Sequence, residues 1–150
     1  MTDTKHQPFW ELKATHHTEE LLGDATLLLE AASQYFAYCA SNPLLCVGQE
    51  KGTKVQVFTL SGLCLYIGCT AERLEHYKAG LMRHEKELAL GEAAVLAAIA
   101  RIEQTIYHQK YIYAAAGLLH PGFITSDLAG KNKTESKDTT IYVTVEDDDL

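Results

Sequence analysis

Four cysteines, seven histidines and several paired carboxylates are the side chains in this 150-residue sequence with the types needed for chemistry. The cysteines are Cys39, Cys46, Cys64 and Cys69. No two form a CxxC pair, and no histidine stands at zinc-finger distance from them. Two readings follow: small apolar side chains in a core, or a metal site completed by His76 or His84. The first is the expectation, so no metal is assigned. No HxxxH or HExxH occurs, and the His16-His17 pair lies in a polar stretch that solvent should cover. Glu72/Glu75, Glu85/Glu87 and Asp147–Asp149 fall on polar helix faces or in the tail, where carboxylates are simply solvated. A GxxxxGK[ST] nucleotide loop is absent, since Gly130-Lys131 lacks its upstream glycine. There is no GxSxG, and no cysteine or serine has a readable His/Asp partner. The sequence thus predicts no catalytic residue, no cofactor and no enzyme activity.

The chemistry that remains is electrostatic. With 13 Lys+Arg against 20 Asp+Glu, the net charge of -7 speaks at first against a nucleic-acid partner. The charge is uneven, however. Residues 1–43 carry -4, residues 91–130 carry -1 and residues 131–150 carry -3, while residues 44–90 come to +1. Any contact with DNA phosphates belongs to that middle third. Its candidates are Lys51, Lys54, Arg73, His76, Lys78 and Arg83. A hydrophobic fraction of 47% suffices for a real core. No run of 18 apolar residues exists, so no membrane span is expected, and Met1 to Trp10 lacks a signal-peptide core. Both point to a cytosolic chain.

Elements must position those six residues. Residues 1–17 are aperiodic and read as a mobile arm, with Phe9-Trp10 as a docking tip for a neighbour. Asp24 is a good N-cap for a helix whose apolar face is Leu28, Ala32, Tyr35, Phe36 and Cys39. Ser41-Asn42-Pro43 must end it. Leu44–Val47 and Val55–Phe58 flank a glycine-bearing turn, as in a β-hairpin with lysines near its tip; a plain loop is the alternative. Thr59 caps a short helix, Leu60 to Ile67, which Gly68 ends, and Thr70 caps the next. That order is a helix-turn-helix, or any αα-corner. In it Leu63, Leu65, Ile67 and Leu74 should pack inward, and Arg73, His76 and Lys78 should stay outside.

Gly91 is an interruption, after which residues 92–116 contain no glycine or proline. Val95, Ile99, Ile102, Ile106 and Tyr113 recur in steps of three and four, with Gln109 in register. A 25-residue helix is about 38 Å long, too long for the core of so small a domain unless something covers it. A second subunit is the simplest cover, so these residues are expected to line an oligomer contact; an intramolecular hairpin with residues 70–90 is compatible. A polar linker over 130–138 leads to an alternating strand at 139–145, with Ile141, Val143 and Val145 on one face. A lone strand needs partners, as neighbouring chains in a shared barrel would provide.

Several segments together resemble a known family. They are Tyr35-Phe-Ala-Tyr-Cys-Ala-Ser-Asn-Pro43, a hairpin-like insert, Phe58-Thr-Leu-Ser-Gly-Leu-Cys-Leu-Tyr-Ile-Gly68, the capped helix bearing Tyr77, Gln109-Lys-Tyr-Ile-Tyr-Ala-Ala-Ala-Gly-Leu-Leu-His-Pro121 and Asp127-Leu-Ala-Gly-Lys131. In order and spacing, over roughly residues 24–145, the sequence resembles the small terminase subunits of tailed bacteriophages of the P22-like type. The resemblance implies a mainly α ring oligomer in the host cytoplasm. Such a ring recognises the packaging site on double-stranded viral DNA and regulates a large terminase subunit, which carries the ATPase and nuclease. The residues divide into an arm at 1–22, a helix-turn-helix domain at 23–86 with a hairpin at 45–58, a helical oligomerisation domain at 87–129 and a segment at 130–150. The resemblance implies the same helix-turn-helix, oligomerisation and strand parts, the strand joining an intersubunit barrel. Two other readings share the same elements: a dimeric helix-turn-helix transcriptional regulator, and an interaction scaffold that binds no DNA.

Overall fold

A computed structural model describes residues 8–45 and 54–117, together with Gly122. Lys51, the hairpin tip, the linker, and the strand with Ile141, Val143 and Val145 lie outside the described residues. The chain divides into two units, residues 1–106 and 107–150. The described part is mainly α. Its helices are α1 (Thr18–Gly23), α2 (Ala25–Ser41), α3 (Leu60–Ile67), α4 (Ala71–Arg83) and α5 (Leu90–Ala115). Single 3-10 turns occur at Phe9–Glu11 and Glu85–Glu87.

Local chemistry sets the helix ends. Asp24 Oδ1 accepts from the backbone N–H of Thr26 at 2.9 Å and of Leu27 at 3.2 Å, satisfying donors that the first turn of α2 leaves open. At the other end Asn42 Nδ2 donates to Tyr38 O at 3.0 Å, and Pro43 follows. Two residues on each side then pair antiparallel, β1 (Leu44–Leu45) with β2 (Lys54–Val55), Leu44 opposite Val55. Thr59 Oγ1 accepts from Gly62 N at 3.0 Å and opens α3. Thr70 Oγ1 accepts from Arg73 N at 3.1 Å and opens α4. Gly91, expected to interrupt, sits in the first turn of α5. That start is held by Glu92 Oε1, which accepts from Ala89 N at 3.3 Å as half of a capping box.

One contiguous core gathers Leu21 and Leu22 of α1, Leu28, Ala31, Ala32, Tyr35 and Cys39 of α2, Leu63, Cys64 and Ile67 of α3, Leu74 and Leu81 of α4, and Val95, Ala98, Ile99, Ile102 and Ile106 of α5. Three expectations change here. First, residues 18–22 are not the end of an arm. They form α1, with Leu21 and Leu22 buried, and Ala14 N donates to Tyr66 O at 2.9 Å. Second, Leu65 is 57% exposed instead of inward. Leu63, Cys64 and Ile67 already take the buried side of α3. Third, Val95, Ile99, Ile102 and Ile106 are buried within a single chain, which leaves them no surface to offer a neighbour. Tyr113 keeps a half-buried position and Gln109 is buried.

An ion pair joins α4 to α5. Lys78 Nζ lies 3.0 Å from Glu103 Oε1 and 3.1 Å from Oε2. The side chains are only 24% and 18% exposed, so either partner left alone would be a poorly solvated charge. Lys78→Ala should therefore destabilise the chain by about 1–2 kcal/mol, and a double-mutant cycle with Glu103→Ala should show a coupling near 1 kcal/mol. Urea unfolding of the four variants checks this, and additive losses would show that the pair contributes nothing.

Candidate nucleic-acid interface

The interface candidate is the α3–turn–α4 unit, and its turn is built by backbone hydrogen bonds. Gly68 has φ 87°, a left-handed conformation that side-chain-bearing residues rarely adopt. Cys69 N donates to Cys64 O at 2.9 Å, and Gly68 N donates to Leu65 O at 3.3 Å. Together these are the two bonds of a Schellman stop. Carbonyls at the end of α3 are also held from α1. The buried Thr18 hydroxyl reaches Ile67 O at 2.8 Å and Gly68 O at 3.1 Å. Tyr77, on α4, donates its hydroxyl to Leu22 O at 2.6 Å. Burial, and to a lesser degree the charge of Glu92, raises the Tyr77 pKa, so the phenol stays a donor. The angle between α3 and α4 is thus braced by residues outside the two helices.

Steps of three, four and three residues place Arg73, His76, Gly80 and Arg83 on one face of α4. Arg73, His76 and Arg83 are all exposed. Arg73 Nη2 touches Glu19 Oε1 at 3.1 Å, and both side chains are at least half exposed. Such a pair is weak and readily exchanged for another anion. Glu19 has its carboxyl lowered by its own backbone hydrogen bond first and by Arg73 second. Lys78 sits elsewhere, beside the buried Leu74 and Leu81, with its charge committed to Glu103. The structure therefore brings together three of the six basic candidates, Arg73, His76 and Arg83, and separates Lys78 from them. The backbone of Lys54 lies in β2, while Lys51 falls outside the described residues.

Sequence reasoning missed Thr18, Tyr77 as a brace, and Glu19 as a partner of Arg73. Only the Thr-Glu-Glu run before Leu21-Leu22, a helix-start pattern, hinted at α1. Phe9 and Trp10 form an edge-to-face pair with centroids 5.2 Å apart, and they line one shallow depression with the exposed Leu65. Among the described residues, no group of three or more His, Cys, Asp or Glu could hold a metal ion, and no helix is long and apolar enough to cross a membrane. His76 and His84 border a common surface hollow with Glu87 and Glu92, without forming such a group.

No protein-family model matches the chain. A curated protein does: it is similar to the terminase small subunit of Salmonella phage P22, with 31% identity over 149 residues, covering 93% of this chain and 85% of the relative. Identity at this level, over most of both proteins, carries more weight than any one short motif. The chain belongs to the family of small terminase subunits of P22-like phages.

Proposed function

We propose that this chain recognises a packaging site on double-stranded viral DNA, assembles as a homo-oligomeric ring, and acts in the host cytoplasm with a large terminase subunit that carries the motor and nuclease. It catalyses no reaction of its own. The observation that carries the DNA reading is the exposed α4 face with Arg73, His76 and Arg83, set directly after a capped and braced turn. Lys51 and Lys54, in the insert between α2 and α3, are assigned to the same contact on their charge. One subunit contributes few phosphate contacts, so affinity comes from many copies in one assembly. Residues 87–129 form the oligomerisation domain. Its contact surface is the exposed side of α5 with Ala93, Ala97, Ala100 and Gln104, where small side chains let helices approach closely. Ile141, Val143 and Val145 belong to the strand that each subunit gives to a shared barrel, and the acidic residues after it solvate the end of the segment.

Changing Lys51, Lys54 and Arg73 together to Ala should weaken binding to packaging-site DNA about tenfold or more. The slope of log affinity against log salt should also flatten. A gel-shift titration at several salt concentrations reads both, and unchanged binding overturns the assignment of these residues. Native mass spectrometry tests the ring. A large closed assembly supports it, whereas a dimer points to a transcriptional regulator built on the same helix-turn-helix.

A further inference from the structure

The turn that joins the two helices carries two thiols, and its backbone geometry brings them together. In a Schellman stop the residue after the left-handed glycine folds back toward the residue five positions earlier, and a contact between their side chains often goes with it. Here those residues are Cys69 and Cys64, joined by the 2.9 Å bond from Cys69 N to Cys64 O. The two thiols are close enough to shift each other's titration. Thr18 holds the same turn from the other side through Ile67 O and Gly68 O. The third described cysteine, Cys39, is buried on α2, its thiol beside Tyr35. Cys64 is buried, while Cys69 is partly exposed.

We propose that Cys64 and Cys69 form a modification site, a dithiol that a peroxide-class oxidant closes to an intramolecular disulfide across the turn. Cys69 reacts first because it meets solvent. Its thiolate attacks one peroxide oxygen, the S–O bond forms, the O–O bond breaks, and hydroxide leaves to take up a proton as water. Cys64 then attacks the sulfenic sulfur. The S–S bond forms, the S–O bond breaks, and the departing hydroxide carries off the Cys64 proton as a second water. Two thiols lose two electrons and one peroxide gains them. Burial and the neighbouring Cys69 push the Cys64 thiol up to about 12. Burial also raises Cys69, opposed by its bond to Cys64 and by the charge of Arg73. Both shifts make the reaction slow at neutral pH and faster as pH rises. The closed pair fixes the end of α3, so it should raise the thermal midpoint reversibly.

The test exposes the full chain to hydrogen peroxide, blocks remaining thiols with N-ethylmaleimide, and maps tryptic peptides by mass. Both cysteines fall in one peptide, Val55–Arg73. The expected result is that this peptide appears unlabelled and two hydrogens lighter, faster at higher pH, with a midpoint that rises by a few degrees and falls back with dithiothreitol. The Cys69→Ala chain, checked for native helicity by circular dichroism, should leave Cys64 without its bridge. A peptide that stays doubly labelled, or a bridge joining Cys39 or Cys46 instead, overturns the proposal.

Discussion

Ile99→Ala should lower the stability of the folded chain by about 3 kcal/mol, a drop in the thermal midpoint on the order of 10 °C. Ile99 is 2% exposed and sits mid-way along the buried stripe of α5. Truncation removes three carbon atoms from a close-packed site that collapses only in part. The loss must appear in the folding of each chain, because the core around Ile99 belongs to one subunit. Ala97→Glu is the counterpart. Ala97 is exposed on the same helix, so its replacement should leave stability within about 0.5 kcal/mol, and on the proposed assembly it should shrink the native mass. Urea unfolding and native mass spectrometry of the two variants separate the roles. An Ile99→Ala chain that unfolds like the parent would return this stripe to the subunit interface.

Gly62→Ala should destabilise the chain by about 2 kcal/mol, although the position is helical. In an open helix the same change stabilises by up to about 1 kcal/mol, because alanine is the better helix former. Space decides the sign here. A Cβ at Gly62 would collide with the Tyr35 hydroxyl and come within 2.8 Å of Thr59 Oγ1. Tyr35 cannot simply step aside. It is 6% exposed, and its hydroxyl accepts the Thr59 N–H at 3.3 Å. Thr59 in turn caps α3 through Gly62 N. The methyl therefore strains the knot that starts α3. In a Tyr35→Phe background the clash partly disappears, so Gly62→Ala should cost less there. A rise in the melting temperature of the single variant would mean that Tyr35 moves freely.

The parts legible in the sequence are those whose physics is local. Asp24, Thr59 and Thr70 each bond an amide two or three residues on, and Gly68 ends a helix by its own φ. Spacing alone therefore announced them. The stripe of α5 was half legible. Periodicity shows that one face is buried, but the number of residues per turn carries no information about which chain buries it. Lys78 was misassigned for a related reason. A lysine near a helix surface looks solvated until the acid opposite it, Glu103, is known. Thr18 and Tyr77 were invisible, because each acts on a carbonyl about fifty residues distant in sequence and nothing in their neighbourhood marks the partner. Of the three residues expected to stay outside, Arg73 and His76 are exposed, since steps of three and four define a helix face whatever packs beneath it, and Lys78 is not.

The brace between α1 and the turn also has a consequence in time. Thr18 meets the carbonyl of Ile67 across 49 positions, and Tyr77 meets that of Leu22 across 55. On a ribosome, α1 emerges first and can pack on α2 at once, but its hydrogen-bond partners at the turn and on α4 follow about fifty residues later. Long-separation contacts of this kind are closed late and slow folding. Until then α1 is held from α2 alone, and the orientation of α4 is not yet fixed. The α3–turn–α4 unit is thus braced by the end of the chain that was synthesised first, and nascent chains cut short before Ile67 should be more open to proteolysis in the α1 region.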